Sequence, residues 1–183
     1  MKRTKNKKQE LIILANDPSL TAWGWVVLDL NDNIYDVGCI KTKPEHTKRR
    51  IRKGDDFIRR MHDIDQVLLD LVDKYKVTYL LSELPHGSQS AVAAVMIGAV
   101  AAAMQMLADS RNIGIEWYSE GDAKKAVLGK ISCTKQEMID AVADLYDVPW
   151  TGIKYKDEAM ADAMAIYHAA VKTSSTFHLF KTL

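Results

Sequence analysis

The chain has 183 residues, 48% hydrophobic and 27% charged, with a net charge of +1, proportions that suit one globular domain and exclude a low-complexity or disordered protein. The charge is unevenly placed: residues 1–60 carry a net +6 and residues 61–183 a net −5, so one side of the molecule is suited to a polyanion. Two cysteines, Cys39 and Cys133, give no disulfide framework, the basic N-terminus lacks the apolar middle of a secretory signal, and no apolar run reaches membrane length without polar interruption. These features lead us to expect a cytoplasmic protein.

Residues 1–10 read as a basic disordered arm. An apolar run then predicts a buried strand over 11–16, ending at Asp17-Pro18-Ser19. Pro18 has no N–H to extend a ladder, so the strand stops at Asp17 and presents a carboxylate at its edge. A second strand over 23–29, a turn at Asn31-Asp32-Asn33 and a third strand over 34–42 make an antiparallel meander. The linker that follows is strongly basic: Lys41, Lys43, Lys48, Arg49, Arg50, Arg52 and Lys53. Such a stretch is either a solvated loop or a contact for phosphates.

Phe57, Ile58, Met61, Ile64, Val67, Leu68, Leu71 and Val72 recur at helical period, predicting a helix over 55–74 with Arg59 and Arg60 on its outer face. A short β-rich strand over 77–81 runs into Ser82-Glu83 and is broken by Pro85, His86 and Gly87. Ser88 is placed to cap a long helix over 89–110, dense in alanine. Small side chains of this kind admit a close partner, and the helix reads equally as a dimer seam or as one buried inside the monomer. A fifth strand over 113–118, helices over 122–128 and 134–146, and a last helix over 157–171 complete the pattern. Residues 172–183 show no period and read as a tail beyond a domain of 11–172. The order of elements implies a mixed α/β sheet of five strands, the first three antiparallel, flanked by helices.

Three places bring carboxylates to the ends of apolar elements: Asp17, Glu83, and the last helix with Asp157, Glu158 and Asp162. Glu158 and Asp162, four residues apart, share one helix face. Asp157 points elsewhere and suits a cap. Acids set among alanine and methionine are costly to bury without a cation, and hard divalent ions prefer such oxygens. The plain alternative is that these acids are solvated at the helix start.

These residues carry a family resemblance. Residues 11–25 and Val37 to Lys43, then Leu80 to Glu83, Asp122 to Gly129 followed by Lys135, and Glu158 to Ile166 resemble, in order, the motifs of RuvC-type Holliday junction resolvases. The resemblance implies an RNase H-like fold, a homodimer, and Mg²⁺-dependent nicking of four-way DNA junctions. By position Asp17, Glu83 and Asp162 would bind two Mg²⁺ ions (with Mn²⁺ as substitute), Asp17 bridging them. The usual partner lies three residues before the last Asp, where this chain has Ala159; Glu158, one residue earlier but longer, takes its place, with Asp157 as the alternative. Lys124 and Lys135 match basic residues near the scissile phosphate. His86 falls where the family has a stacking aromatic, or is a plain loop histidine. Lys125 and Lys130, with the basic linker, would hold backbone phosphates. The short length and shifted acidic pair resemble phage members of the family. Rival readings are an RNase H-type or general branched-DNA nuclease, a catalytically inactive junction-binding protein and, less fitting for one domain, a piece of an actin-like ATPase.

Overall fold

The computed structural model describes residues 11–45, 51–84 and 87–182. The strands are β1 (Ile13–Asp17), β2 (Ala22–Leu28), β3 (Ile34–Lys41), β4 (Tyr79–Glu83) and β5 (Gly114–Tyr118). The helices are α1 (Lys53–Tyr75), α2 (Ala91–Arg111), α3 (Glu120–Leu128), α4 (Lys135–Leu145), α5 (Lys154–Thr173) and α6 (Ser175–Thr182). One sheet has the order β3-β2-β1-β4-β5. The first three strands are antiparallel and β4 and β5 join in parallel, as expected of the meander followed by helical crossovers.

Alternation along the central strand divides the core in two. Ile13 and Ala15 face a cluster built on α5, with Met138, Val142, Met164 and Phe177. Leu14 faces the other layer, with Ile64 and Leu68 of α1 and Val100 and Met104 of α2. Asn16, fully buried on that second face, has its polar atoms satisfied: its amide donates to the carbonyls of Leu14 and Leu81, both at 3.2 Å, and its carbonyl accepts from Trp23 Nε1 at 3.1 Å. These bonds tie the end of β1 to β4 and hold the backbone from which Asp17 emerges.

Two expectations need correction. The patternless tail instead forms α6, which buries Phe177 completely and is capped by the Ser174 hydroxyl accepting from Phe177 N at 3.1 Å. Eight residues with one large apolar anchor are too few to show a period. Arg60 is not on an outer face. It is buried, donating to Thr42 Oγ1 at 2.7 Å, the Leu20 carbonyl at 3.0 Å and Thr21 Oγ1 at 3.2 Å, and so pins the turn after Asp17 from behind. Arg59 does face outward, with Asp56 and Asp63 as ion partners. The long helices also differ from each other. α5 is buried almost all round, whereas α2 inserts Val100, Met104, Leu107 and Ala108 and leaves Val92, Val95 and Met106 exposed.

α5 sits against the sheet at Gly24, the residue opposite Asp17 in the β1–β2 ladder. A Cβ on Gly24 would lie 2.1 Å from the Ala159 carbonyl oxygen, a backbone atom that has no room to yield. Gly24→Ala is therefore expected to cost roughly 3 kcal/mol and lower the melting temperature by about 10 °C. Any residual fold should have α5 lifted off the sheet, with loss of whatever Asp17 and Asp162 do together. Calorimetry and an activity assay on the same preparation check both.

Candidate active site

Strand period and register bring the acids together. Asp17 follows Ile13 and Ala15 on the α5 face, and Glu83 follows Tyr79 and Leu81 on the same face. β1 and β4 run parallel with Asn16 opposite Ser82, so the next residues, Asp17 and Glu83, end side by side at one edge of the sheet. α5 crosses above this edge and adds Asp162. Lys135, the first residue of α4, reaches Asp162 Oδ2 at 2.5 Å. Lys124 projects from α3 to Glu120 Oε1 at 2.5 Å.

The electrostatics are those of crowded like charges. Burial, then the charges of Asp162 and Glu83, hold the Asp17 carboxyl well above its ordinary value, with Lys135 opposing. Burial and Asp162 push Glu83 up to about 7, with further repulsion from Glu120 and relief from Lys135 and Lys124. Asp162 is raised by burial despite its bond to Lys135. Lys135 is the complement: burial works against its charge, but Asp162 and Asp17 outweigh that and hold it protonated. Neither the Asp17 nor the Glu83 carboxylate has a hydrogen-bond or ion-pair partner among the described residues. Hard, unpartnered, closely set oxygens form the donor set that a hard divalent cation requires. The residues therefore fit a metal, although no three of them are already in coordinating geometry among the described residues.

The other anticipated residues fall as follows. Glu158 lies one turn before Asp162 on α5, with Lys154 at 4.0 Å as its ion partner. It is not among the charges acting most strongly on Asp17, Glu83 or Asp162. Asp157 is buried and accepts from Thr151 N at 2.8 Å and Thr151 Oγ1 at 2.7 Å. α5 begins before it, so Asp157 orders the helix entry and is not available as the alternative ligand. Lys125 is exposed on α3. Lys130 is paired with Glu137 at 2.7 Å, and Arg52 with Asp55 at 2.7 Å, so part of the basic face is neutralised within the chain. Lys53 opens α1, exposed. Lys48, Arg49, Arg50 and His86 lie outside the described residues, as does the arm 1–10.

Sequence reasoning missed Glu120. Its helix was expected to start at Asp122, but Ser119 is the N-cap: its hydroxyl accepts from Asp122 N at 3.1 Å while the Asp122 side chain accepts from Ser119 N at 3.0 Å. That reciprocal box, Ser-x-x-Asp, is written in the sequence and would have put Glu120 in the first helical turn, beside the strand ends.

Comparison with known proteins bears on the family and the fold. The family model described as "Crossover junction endodeoxyribonuclease RuvC" matches residues 13–168. The chain belongs to the RuvC family. The RuvC protein of Pseudothermotoga lettingae is 26% identical over 165 residues, covering 88% of this chain and 96% of that protein. The Protochlamydia amoebophila RuvC is 28% identical over 165 residues, covering 87% and 91%. Among solved structures, Thermus thermophilus RuvC in complex with Holliday junction substrate superposes with a TM-score of 0.67 at 16% identity, over 92% of this chain and 94% of that chain. The yeast mitochondrial Holliday junction resolvase Ydc2 gives 0.62 at 15% identity, over 93% of this chain and 81% of that chain. The RNase H-like α/β fold expected from the resemblance is the fold found. The RuvC family is one of metal-dependent nucleases that cut DNA at crossovers, and this chain is an endodeoxyribonuclease of that family.

The raised carboxylates fix the sign of a pH effect in this RuvC-family site. A Glu83 held at about 7, against an ordinary 4.5, favours protonation of the metal-free folded protein, so its charge penalises folding above pH 7. The penalty shrinks as pH falls through 7 and is gone below about 4.5. Glu83→Gln is thus expected to stabilise the metal-free protein at pH 8 by on the order of 2 kcal/mol, or roughly 4–8 °C, and by almost nothing at pH 4.5. Saturating Mg²⁺ should raise the melting temperature of the wild type more than that of the variant. Thermal melts across pH, with and without metal, check it.

Proposed function

We propose that the protein is a homodimeric resolvase of four-way DNA junctions, in which Asp17, Glu83 and Asp162 would hold two Mg²⁺ ions, for which Mn²⁺ would substitute. The observation that carries this reading is the pair of unpartnered carboxylates, Asp17 and Glu83, set side by side beneath Asp162. When bound, the ions supply an activated water for attack on phosphorus and stabilise the departing 3′ oxygen. The chain's own part is to orient and to balance charge. Lys135, paired with Asp162 in the metal-free protein, exchanges that carboxylate for a phosphate oxygen, and Lys124 on the neighbouring helix does the same. Both lysines then face the charge that develops on the scissile phosphate. Exposed Lys53 and Lys125, together with Lys48, Arg49 and Arg50, hold the backbone without reading bases, and His86 stacks at the junction centre. The protein acts in the cytoplasm, of a bacterial cell or of a phage-infected host.

A four-way junction has two strands to cut, and a two-fold dimer offers two sites. α2 supports this dimer. No charged residue occurs from Ala91 to Ala108, and the outward face carries Val92, Val95 and Met106 uncovered by the monomer. By length and composition alone the helix is apolar enough to cross a membrane, but its C-terminal half is anchored in the protein core. The uncovered half is taken to meet the same helix of a second copy, whose small residues admit close packing. Val95→Glu should convert dimer to monomer in sedimentation, with helical content retained and junction cleavage lost. A variant that stays dimeric would remove α2 from the seam.

The decisive assay is cleavage of a labelled synthetic four-way junction in Mg²⁺, beside linear duplex and an RNA–DNA hybrid. Paired nicks confined to the junction are expected, absent in Asp17→Asn although that variant still binds. Preferential cutting of the hybrid would replace the substrate while keeping the site. Binding without a cut in either Mg²⁺ or Mn²⁺ would make the chain a junction-binding protein only.

A further inference from the structure

The sheet edge carries a fourth acid besides the three from β1, β4 and α5. β5 is the parallel neighbour of β4 and ends with Tyr118 opposite Glu83, and the Leu84 N–H donates to the Tyr118 carbonyl at 2.8 Å. The chain turns at Ser119 into α3, so Glu120 emerges two residues beyond the strand that flanks Glu83. The Ser119–Asp122 capping box fixes that turn, and Lys124 one turn later binds the Glu120 carboxylate at 2.5 Å while leaving its side chain 47% exposed. The edge is therefore built as two lysine-held acids, Asp162 with Lys135 and Glu120 with Lys124, around the bare pair Asp17 and Glu83. Glu120 is also among the charges acting most strongly on Asp17, Glu83, Asp162 and Lys135, and Glu158, with its Lys154 partner, is not.

Charge balance gives this arrangement a use. Four carboxylates against two ammonium groups leave the edge two negative charges in excess, a costly state for a partly buried cluster. Two divalent cations neutralise all four acids and leave both lysines free for phosphate.

We propose that Glu120 is the fourth carboxylate of the metal site, released from Lys124 as the divalent ions bind and completing with Asp17, Glu83 and Asp162 the set that holds them. This rests on the nuclease reading of the site and adds to it a ligand from α3, in place of a second acid from α5. In this chain α5 has Ala159, its backbone packed against the sheet at Gly24, at the position three residues before Asp162. Lys124 then has two states, holding Glu120 without metal and facing phosphate with it.

The test is Mn²⁺ binding to the full chain without DNA, followed by electron paramagnetic resonance and calorimetric titration. Glu120→Gln should weaken Mn²⁺ by at least about tenfold, the scale on which even outer partners of a metal ligand act. Glu120→Asp should recover part of the loss. Lys124→Gln, which frees the acid from its lysine, should tighten Mn²⁺ binding. Junction binding of Glu120→Gln in EDTA, expected to persist, shows that the variant is folded. Mn²⁺ affinity within twofold of wild type in Glu120→Gln, with Asp17→Asn defective, would overturn the assignment of Glu120 and leave the site reading standing. A loss in Glu158→Gln without one in Glu120→Gln would return the fourth acid to α5 and overturn it equally. Unchanged Mn²⁺ affinity in Asp17→Asn would instead remove the metal-site reading itself, and this assignment with it.

Discussion

α5 touches the sheet backbone to backbone, with no side chain of Gly24 between the strand and the Ala159 carbonyl. Everything at the candidate site depends on that approach. Asp17 is at the end of β1, opposite Gly24, and Asp162 is one turn along α5 from Ala159. A methyl group at residue 24 would separate the two acids by lifting the helix. The alanines of α5 serve the same contact, because a helix bearing larger side chains on this face would stand off the sheet. Packing density and site geometry are thus one constraint.

That constraint forces like charges together. Asp17, Glu83 and Asp162 all resist ionisation, and the two lysines relieve the cluster only in part. The fold tolerates the repulsion because the strand ends are held by other means. The buried Asn16 amide bonds across to β4, and buried Arg60 pins Leu20, Thr21 and Thr42 around the turn after Asp17. The repulsion left at the sheet edge is one that a relaxed, hydrogen-bonded set of acids would not carry.

The two faces of the sheet serve different ends. The α5 layer is sealed and carries the acids, and α6 closes it further with Phe177. On the other face α1 and α2 cover the strands, but α2 runs out with its first turns bare. The basic residues are less free than their number suggests, since Arg52, Arg59 and Lys130 are engaged by acids of the same chain. The lysines and arginines free to meet a polyanion are accordingly fewer than the sequence holds.

Local signals in the sequence determined the strand ends and their faces. Pro18 stops β1 at Asp17, period two sends Asp17 and Glu83 to the same side as the apolar residues before them, and a helical period marks α1. The family motifs in order told the fold, and the Ser119 capping box is legible in the Ser-x-x-Asp spacing. Tertiary structure alone decided the rest. α2 and α5 are both rich in alanine and look alike as strings, yet one is buried and the other half bare, because burial depends on what the sheet and neighbouring helices place opposite each turn. Arg60 likewise reads as a surface charge in the helical period of α1. Two of its partners, Thr21 and Leu20, lie 39 and 40 residues away. Periodicity records the faces of one element; which faces meet is set by register and crossover between elements.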